Sequence, residues 1–133
     1  MLLVLLSSCV SGISSAEKRE YAIYQKKNYD LETKNKYVGA GLGLLPGGGS
    51  FYSGHILIGL GDLLLWPVSV LWDPINGYNG AEKINFDNTK EFVNRKKELD
   101  VKELTTKFEA GIITHKQYII DKQKIEDKYS TNI

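Results

Sequence analysis

Asp62 is the residue with the most pointed chemistry in this chain. It lies in Gly-Leu-Gly-Asp-Leu-Leu-Leu, deep in an apolar block that runs from Tyr37 to Pro74. A charge at membrane depth costs ~2.5–3.5 kcal/mol on insertion scales, so such an acid must be neutral, paired or near an interface. The functional reading is a proton or ion site. The bland reading is a carboxyl near a headgroup, or one hydrogen-bonded to Tyr52 or Ser50. The sequence favours the bland one, because no second acid at membrane depth is expected to complete a relay, Asp73 being read as the point where the chain leaves the block. His55, at the start of the second apolar arm, reads as interfacial. No Cys, His or carboxylate stands at ligand spacing from it, so no zinc motif is formed. His115 reads as a first-turn surface residue. The run Pro46-Gly47-Gly48-Gly49-Ser50 lacks the Lys and Ser/Thr of a phosphate-binding loop. Catalysis needs a nucleophile and base, or an acid and base, within reach of each other. No such set is legible, so neither an enzyme, a cofactor nor a metal is expected.

The single cysteine, Cys9, excludes an intramolecular disulfide. It follows Leu6-Ser7-Ser8, and that spacing resembles the lipobox of bacterial lipoproteins: Leu, two small residues, then Cys. Small residues suit a peptidase that must admit extended backbone beside the bond it cuts. The resemblance implies cleavage before Cys9 and acylation of its sulfur, with residues 1–8 removed as a signal segment. Nothing basic precedes the five apolar residues Leu2–Leu6, whereas a full secretory signal has a cationic start and roughly 7–15 apolar residues. A start upstream of Met1 would account for that. Val10 after Cys9, in place of Asp, does not favour inner-membrane retention under the sorting rule of enteric bacteria. Several acyl chains would anchor firmly, each buried CH₂ adding ~0.8 kcal/mol.

The apolar block must position Asp62, and its dimensions constrain how. The first arm, Tyr37 to Leu45, would make ~13 Å of helix; the second, Ile56 to Trp66, ~16 Å, with at most ~8 Å more beyond Pro67. Crossing ~30 Å of hydrocarbon takes about 20 residues. The expected geometry is therefore a shallow or re-entrant hairpin, entering and leaving by one face, with Pro46 and the glycines as its turn. Lys and Arg flank both ends and do not decide orientation. Gly39 and Gly43 form a G-x-x-x-G step that would let backbones approach, either arm to arm or between copies. Trp66 and Trp72 read as interfacial anchors.

Pro46, Gly47, Gly48, Gly49, Ser50, Phe51, Tyr52, Ser53 and Gly54 resemble the turn of the small two-transmembrane hairpin domain family. There, glycines precede Phe-Tyr-x-Gly and a glycine-rich second helix follows. Trp72-Asp73 is similar to a Trp and Asp late in that helix. The family's His-Arg pair before Phe-Tyr is replaced by Gly49-Ser50, and Pro46 and Pro67 shorten both arms. Leu45–Tyr52, Leu64–Pro67 and Trp72–Pro74 also resemble a pattern of bacterial lipoproteins that names no activity.

Polar segments flank the block. Ser14 and Glu17 fit a capping box, and Tyr21 and Tyr24 make a weak aromatic stripe, read as a few packing tyrosines on a solvated helix or stalk. Asn28, Asp30 and Asn35 suggest breaks. After the block, Pro74, Gly77 and Gly80 suggest an exit linker, and Asn88 to Glu91 a cap for a charged helix starting near Thr89. Val101, Leu104 and Phe108 form an i, i+3, i+7 stripe, which Gly111 terminates. Thr114 caps a last helix, with Gln117 completing the box and Ile113 and Tyr118 as the staple. Tyr118, Ile125 and Tyr129 continue one face. Leu104 to Ile125 resembles the short C-terminal helical hairpin called SHOCT. Gly111-Ile112-Ile113-Thr114 matches its core, Tyr118 its aromatic, and Lys122 and Ile125 its Lys and Leu, with His115 in place of an acid. The resemblance implies an interaction or oligomerisation appendage. Two helices this short must pack on the preceding helix, a second copy or a partner.

The expected fold is mainly α: a membrane-associated apolar helical hairpin flanked by polar helices, with a C-terminal two-helix module. The divisions are residues 1–8 (signal), 9–36 (lipid-anchored polar helix and linker), 37–74 (hairpin), 75–98 (linker and charged helix) and 99–133 (helical hairpin). A net charge of +1 in 133 residues offers no electrostatic case for nucleic acid. The function expected is a non-enzymatic membrane lipoprotein of the bacterial cell envelope, on its periplasmic face. Its partners would be the lipid bilayer and, through the C-terminal helices, a second copy or an envelope protein. The alternative is a small oligomeric channel or transport accessory using Asp62.

Overall fold

The computed structural model describes residues 11–65 and 68–131. Cys9, with the signal and lipobox reading, and Trp66 and Pro67 lie outside them. The chain is mainly helical, with no strand among the described residues. In order come α1 (Ser15–Lys26), α2 (Lys36–Leu42), α3 (Gly48–Tyr52), α4 (Ile56–Leu64), a 3-10 turn (Val68–Leu71), α5 (Asp73–Glu109) and α6 (His115–Tyr129).

Local signals account for most of the ends. Ser14 and Glu17 form the reciprocal capping box at α1, Ser14 N–H donating to Glu17 at 2.7 Å and Glu17 N–H to Ser14 Oγ at 3.3 Å. Asn28, left-handed at φ 55°, ends the helix, and Tyr29 N–H bonds back to the Tyr24 carbonyl. Asn35 caps α2 through Oδ1, which accepts from the Tyr37 and Val38 amides. Gly111, at φ 69°, closes α5, with Ile112 N–H bonded to the Lys107 carbonyl. Thr114 Oγ1 then accepts from Gln117 N–H to open α6.

Helix α5, 37 residues long, is the spine. The expected linker of residues 75–88 is helical throughout, and the expected cap at Asn88 lies inside the helix. The reason is on its buried face: Asp73, Asn76, Gly77, Gly80, Ala81, Asn85, Phe86, Thr89 and Val93. These are mostly small or amide side chains, so neighbouring backbone packs directly on the helix. A Cβ on Gly77 would sit 2.1 Å from the Gly39 carbonyl oxygen, and one on Gly43 would sit 2.3 Å from Pro74 N. The Gly39–Gly43 step is thus spent within the chain, on α5. The apolar block is not two arms laid on each other: α2 and α3 pack chiefly on α5, and α4 packs on α3. The loop from Leu31 to Lys34 is pinned to the spine by side chains. Asn85 Oδ1 accepts from the Thr33 and Lys34 amides, Asn85 Nδ2 donates to the Lys34 carbonyl at 2.6 Å, and Thr89 Oγ1 accepts from Leu31 N–H.

Beyond Gly80 the spine carries an aromatic core. Ile13, Tyr24, Phe86, Val93 and Tyr129 are buried together, with Tyr21, Tyr29 and Ile125 against them. Tyr21 meets Phe86 edge-on at 6.0 Å, and Tyr29 stacks on Tyr129 at 5.6 Å. Helix α1 is otherwise mostly exposed; it supplies Tyr24 to this core and Tyr21 against it, as packing tyrosines on a solvated helix would. The C-terminal module folds back on the spine. Leu104 is buried, Phe108 lies 5.0 Å from Tyr118, and Tyr129 donates to Asp100 at 2.7 Å. Lys27 Nζ reaches the carbonyls of Lys128 and Ser130, at 2.9 and 2.7 Å, at the end of α6.

Candidate functional site

The site is built where three short segments meet the first turn of α5. Gly47, left-handed at φ 71°, turns the chain after Pro46 and begins α3, so the expected glycine turn itself becomes helical at Gly48. Gly47 has no side chain to cap α3. Asp73, from the start of α5, supplies the acceptor instead: Oδ2 takes the Gly49 amide at 3.0 Å and Oδ1 the Ser50 amide at 2.8 Å. The close fit is set by Gly49, where a Cβ would lie 2.2 Å from the Asp73 carbonyl oxygen.

Ser50 is the hub. Its Oγ lies 2.6 Å from Asp73 Oδ1 and 2.7 Å from Asp62 Oδ2, with Asn76 Nδ2 at 3.5 Å. Trp72 Nε1–H donates to Asp62 Oδ1 at 2.7 Å. Ser50 and Asp73 are 0% exposed and Asp62 is 2% exposed. No ion pair reaches either acid among the described residues. Burial pushes the Asp73 carboxyl above its ordinary value; the Ser50 hydroxyl and the Gly49 and Ser50 amides pull it down, and an ionised Asp62 would push it up again.

This geometry fits the sequence reading of Asp62 in part. Ser50 is its partner, and Tyr52 is not. Tyr52 Oη accepts from Asn35 N–H, and its carbonyl accepts from Lys34 Nζ. The expectation that no second acid was in reach is corrected: Asp73, read as the exit from the block, is joined to Asp62 through one hydroxyl. The wetted N–H expected of Trp72 is corrected, because that N–H is spent on Asp62. The sequence signal was a polar residue at each of three places: Ser50 among glycines, Asp62 among leucines, and Asp73 at a helix start. Spacing alone could not bring them together. His55 is exposed and bonds only within its own turn, Nδ1 lying 3.1 Å from the Ser53 carbonyl.

Ser50 cannot serve as a nucleophile in this arrangement, since its oxygen is sealed from solvent and flanked by carboxyls. No group of three or more His, Cys, Asp or Glu residues positioned to hold a metal is present among the described residues. Around this polar centre the outer surface is apolar. Leu57 is 85% exposed, Leu64 84% and Leu71 73%, with Leu44, Leu45, Ile56 and Leu63 exposed beside them in the chain. Gly54 turns into α4, and Phe51 packs its ring over Gly59, where a Cβ would come within 2.7 Å. No described helix is long and apolar enough to cross a membrane. No protein-family model matches the chain, and no curated protein or solved structure is significantly similar to it.

Proposed function

We propose that this protein is a non-enzymatic component of a bacterial cell envelope that docks on a lipid bilayer and acts there as a structural or interaction element. One observation carries the reading: between Tyr37 and Ile75 the polarity is inverted. The only two acidic residues, Asp62 and Asp73, are buried with Ser50, Ser53 and Ser69, while every leucine but the half-buried Leu42 faces outward. A water-facing surface favours the opposite arrangement, and an exposed apolar expanse of this kind marks an interaction or membrane site. Short arms suit a surface that enters the interface without crossing it: α2 and α4 have seven and nine residues, ~10 and ~13 Å. Acylation of Cys9 would add a lipid anchor to this contact. The C-terminal hairpin, through its outward Ile112, Ile119 and Ile120, is the part available to a second copy or an envelope protein. An oligomeric channel or transport accessory built on Asp62 is the weaker reading, because Asp62 is directed into its own chain.

Vesicle flotation tests the proposal. The unacylated chain should float with phospholipid vesicles, and Leu57→Glu with Leu64→Glu should abolish flotation while leaving the far-UV circular dichroism unchanged. Flotation that survives both substitutions would defeat it. Cys9→Ala should separately remove acyl labelling and processing. Lys36 and Lys83 should be labelled from the same side of a vesicle.

A further inference from the structure

The distances around Ser50 impose a proton count. A hydroxyl has one hydrogen to donate. Ser50 Oγ lies at full hydrogen-bond distance from two carboxyl oxygens, 2.6 Å from Asp73 and 2.7 Å from Asp62. Were both acids ionised, one contact would set two lone pairs against each other with no hydrogen between them. One carboxyl must bring its own proton. Asp73 is the better carboxylate, since it accepts from the Gly49 and Ser50 amides as well as from the hydroxyl. The order is then Asp62 Oδ2–H to Ser50 Oγ, and Ser50 Oγ–H to Asp73 Oδ1. The other oxygen of Asp62 accepts from Trp72.

The same cluster is the polar tether of α4. That helix rests on α3 and on the 3-10 turn; Ile58 is half-buried, and its other large apolar side chains, Ile56, Leu57, Leu60, Leu63 and Leu64, are exposed. Its inward contacts are Gly59, against Phe51 and the turn at Gly47, and Asp62, against Ser50 and Trp72. We propose that Asp62, Ser50 and Asp73 form a proton-operated latch: one shared proton holds α4 against α3 and α5, and its loss releases α4.

Among the described residues, the groups facing the latch offer no substitute for that proton. From α3 come the Ser50 hydroxyl and the Gly49 and Ser50 amides, from the start of α5 Asp73 and Asn76, and from the residue before it Trp72. Helix α2 presents Gly39 and Gly43 to α5. The ionisable groups contacting α3 and the turn after it are Lys34, on the Tyr52 carbonyl, His55, on Ser53, and Tyr52, on Asn35. None bonds to either acid. With the proton gone, two negative charges compete for the single Ser50 hydroxyl hydrogen in a site that water does not reach, and α4, held otherwise by Gly59 and the half-buried Ile58, is the element that yields. The latch rests on this geometry and would operate whatever surface covers α4.

The test is made on the full chain in neutral micelles. Infrared spectroscopy at neutral pH should show the carbonyl stretch of one protonated carboxyl group. Asp62→Asn should remove it while keeping the fold, because the amide can donate to Ser50 and accept from Trp72. In a Trp66→Phe chain, Trp72 is the single indole and reports on the latch. Its emission should shift in one single-proton step as pH rises, with α4 amides gaining hydrogen exchange relative to those of α5. In the Asp62→Asn chain both responses should be lost. Absence of the protonated-carboxyl band in the wild-type chain at neutral pH would overturn the proposal without recourse to any variant. So would an emission step at the same midpoint in Asp62→Asn.

Discussion

Gly39 and Gly41 lie two residues apart in α2, and substituting each by alanine should move stability in opposite directions. At Gly39 the new methyl carbon would lie 2.4 Å from the Gly77 carbonyl oxygen, 2.8 Å from its carbon and 3.1 Å from the Tyr52 ring. A carbon resting on a carbonyl oxygen sits at ~3.3–3.6 Å, so α2 and the start of α5 must part by about 1 Å. Neither obstacle is a flexible side-chain tip; both glycines belong to helices whose backbones touch. A radial gap of ~0.5–1 Å already forfeits a quarter to a half of a dispersion contact. Overpacking of this kind costs about 1–3 kcal/mol, and it extends along Gly43 and Gly49, which make similar approaches. At Gly41 nothing lies within 4 Å and the position is exposed. There alanine should stabilise by roughly 0.5–1 kcal/mol through helix propensity alone. The two variants should therefore differ by about 1.5–4 kcal/mol. Urea unfolding in mild detergent, followed by far-UV circular dichroism, reads the difference as opposite shifts of the midpoint. Shifts of equal sign and similar size would mean that close backbone approach does not hold α2 to the spine.

Acid should selectively weaken the start of α1. Glu17 is lowered to about 2 by its bonds to Lys83 and Ser14. A depressed carboxylate contributes fully above its unfolded value near 4.5 and loses that contribution as pH falls through its folded value. The stability gap between wild type and Glu17→Gln should thus be level above about pH 5 and close by pH 2 in an acid titration; a gap that widens in acid would contradict the sign. Asn85→Ala should cost about 2–3 kcal/mol in denaturant unfolding, since it strips partners from the Thr33 and Lys34 amides and the Lys34 carbonyl, and should expose the Leu31–Lys34 loop to proteases. Lys27→Met should cost about 1 kcal/mol and speed hydrogen exchange in the last turn of α6, leaving α2 unaffected.

What the sequence made legible was local. Ser14 with Glu17, Asn28, Asn35, Gly111 and Thr114 each act within a few residues of themselves, and each ends or begins a helix where its chemistry says it should. The helical class followed from these and from the Val101, Leu104 and Phe108 stripe. The face of α5 between Asp73 and Thr89 was misread because a search for large apolar residues finds none there apart from Phe86. Gly77, Gly80 and Ala81 look like linker composition, yet their lack of bulk is what lets α2 and α3 lie on the helix. A stripe of small residues at helical spacing, running 73, 76, 77, 80, 81, was the available signal. The Asp62–Ser50–Asp73 contact was out of reach for a different reason: it joins three elements whose relative placement depends on those glycine contacts.

The spine also has a rotational consequence. From Asp73 to Glu109 it rises ~55 Å, with the buried aspartates at one end and the Phe108–Tyr118 contact near the other. Because each residue advances the helix by about 100°, its length fixes the azimuth of the far tip as well as its reach. Removing seven residues from the exposed stretch near Arg95 would draw the tip in by ~10 Å yet turn it by only about 20°. Removing five would shorten it less and swing the tip by about 140° to the other side. Any partner that grips the tip while the leucine-covered end is seated must therefore read α5 as a keyed shaft, and length and phase could be varied separately to find out which of the two it reads.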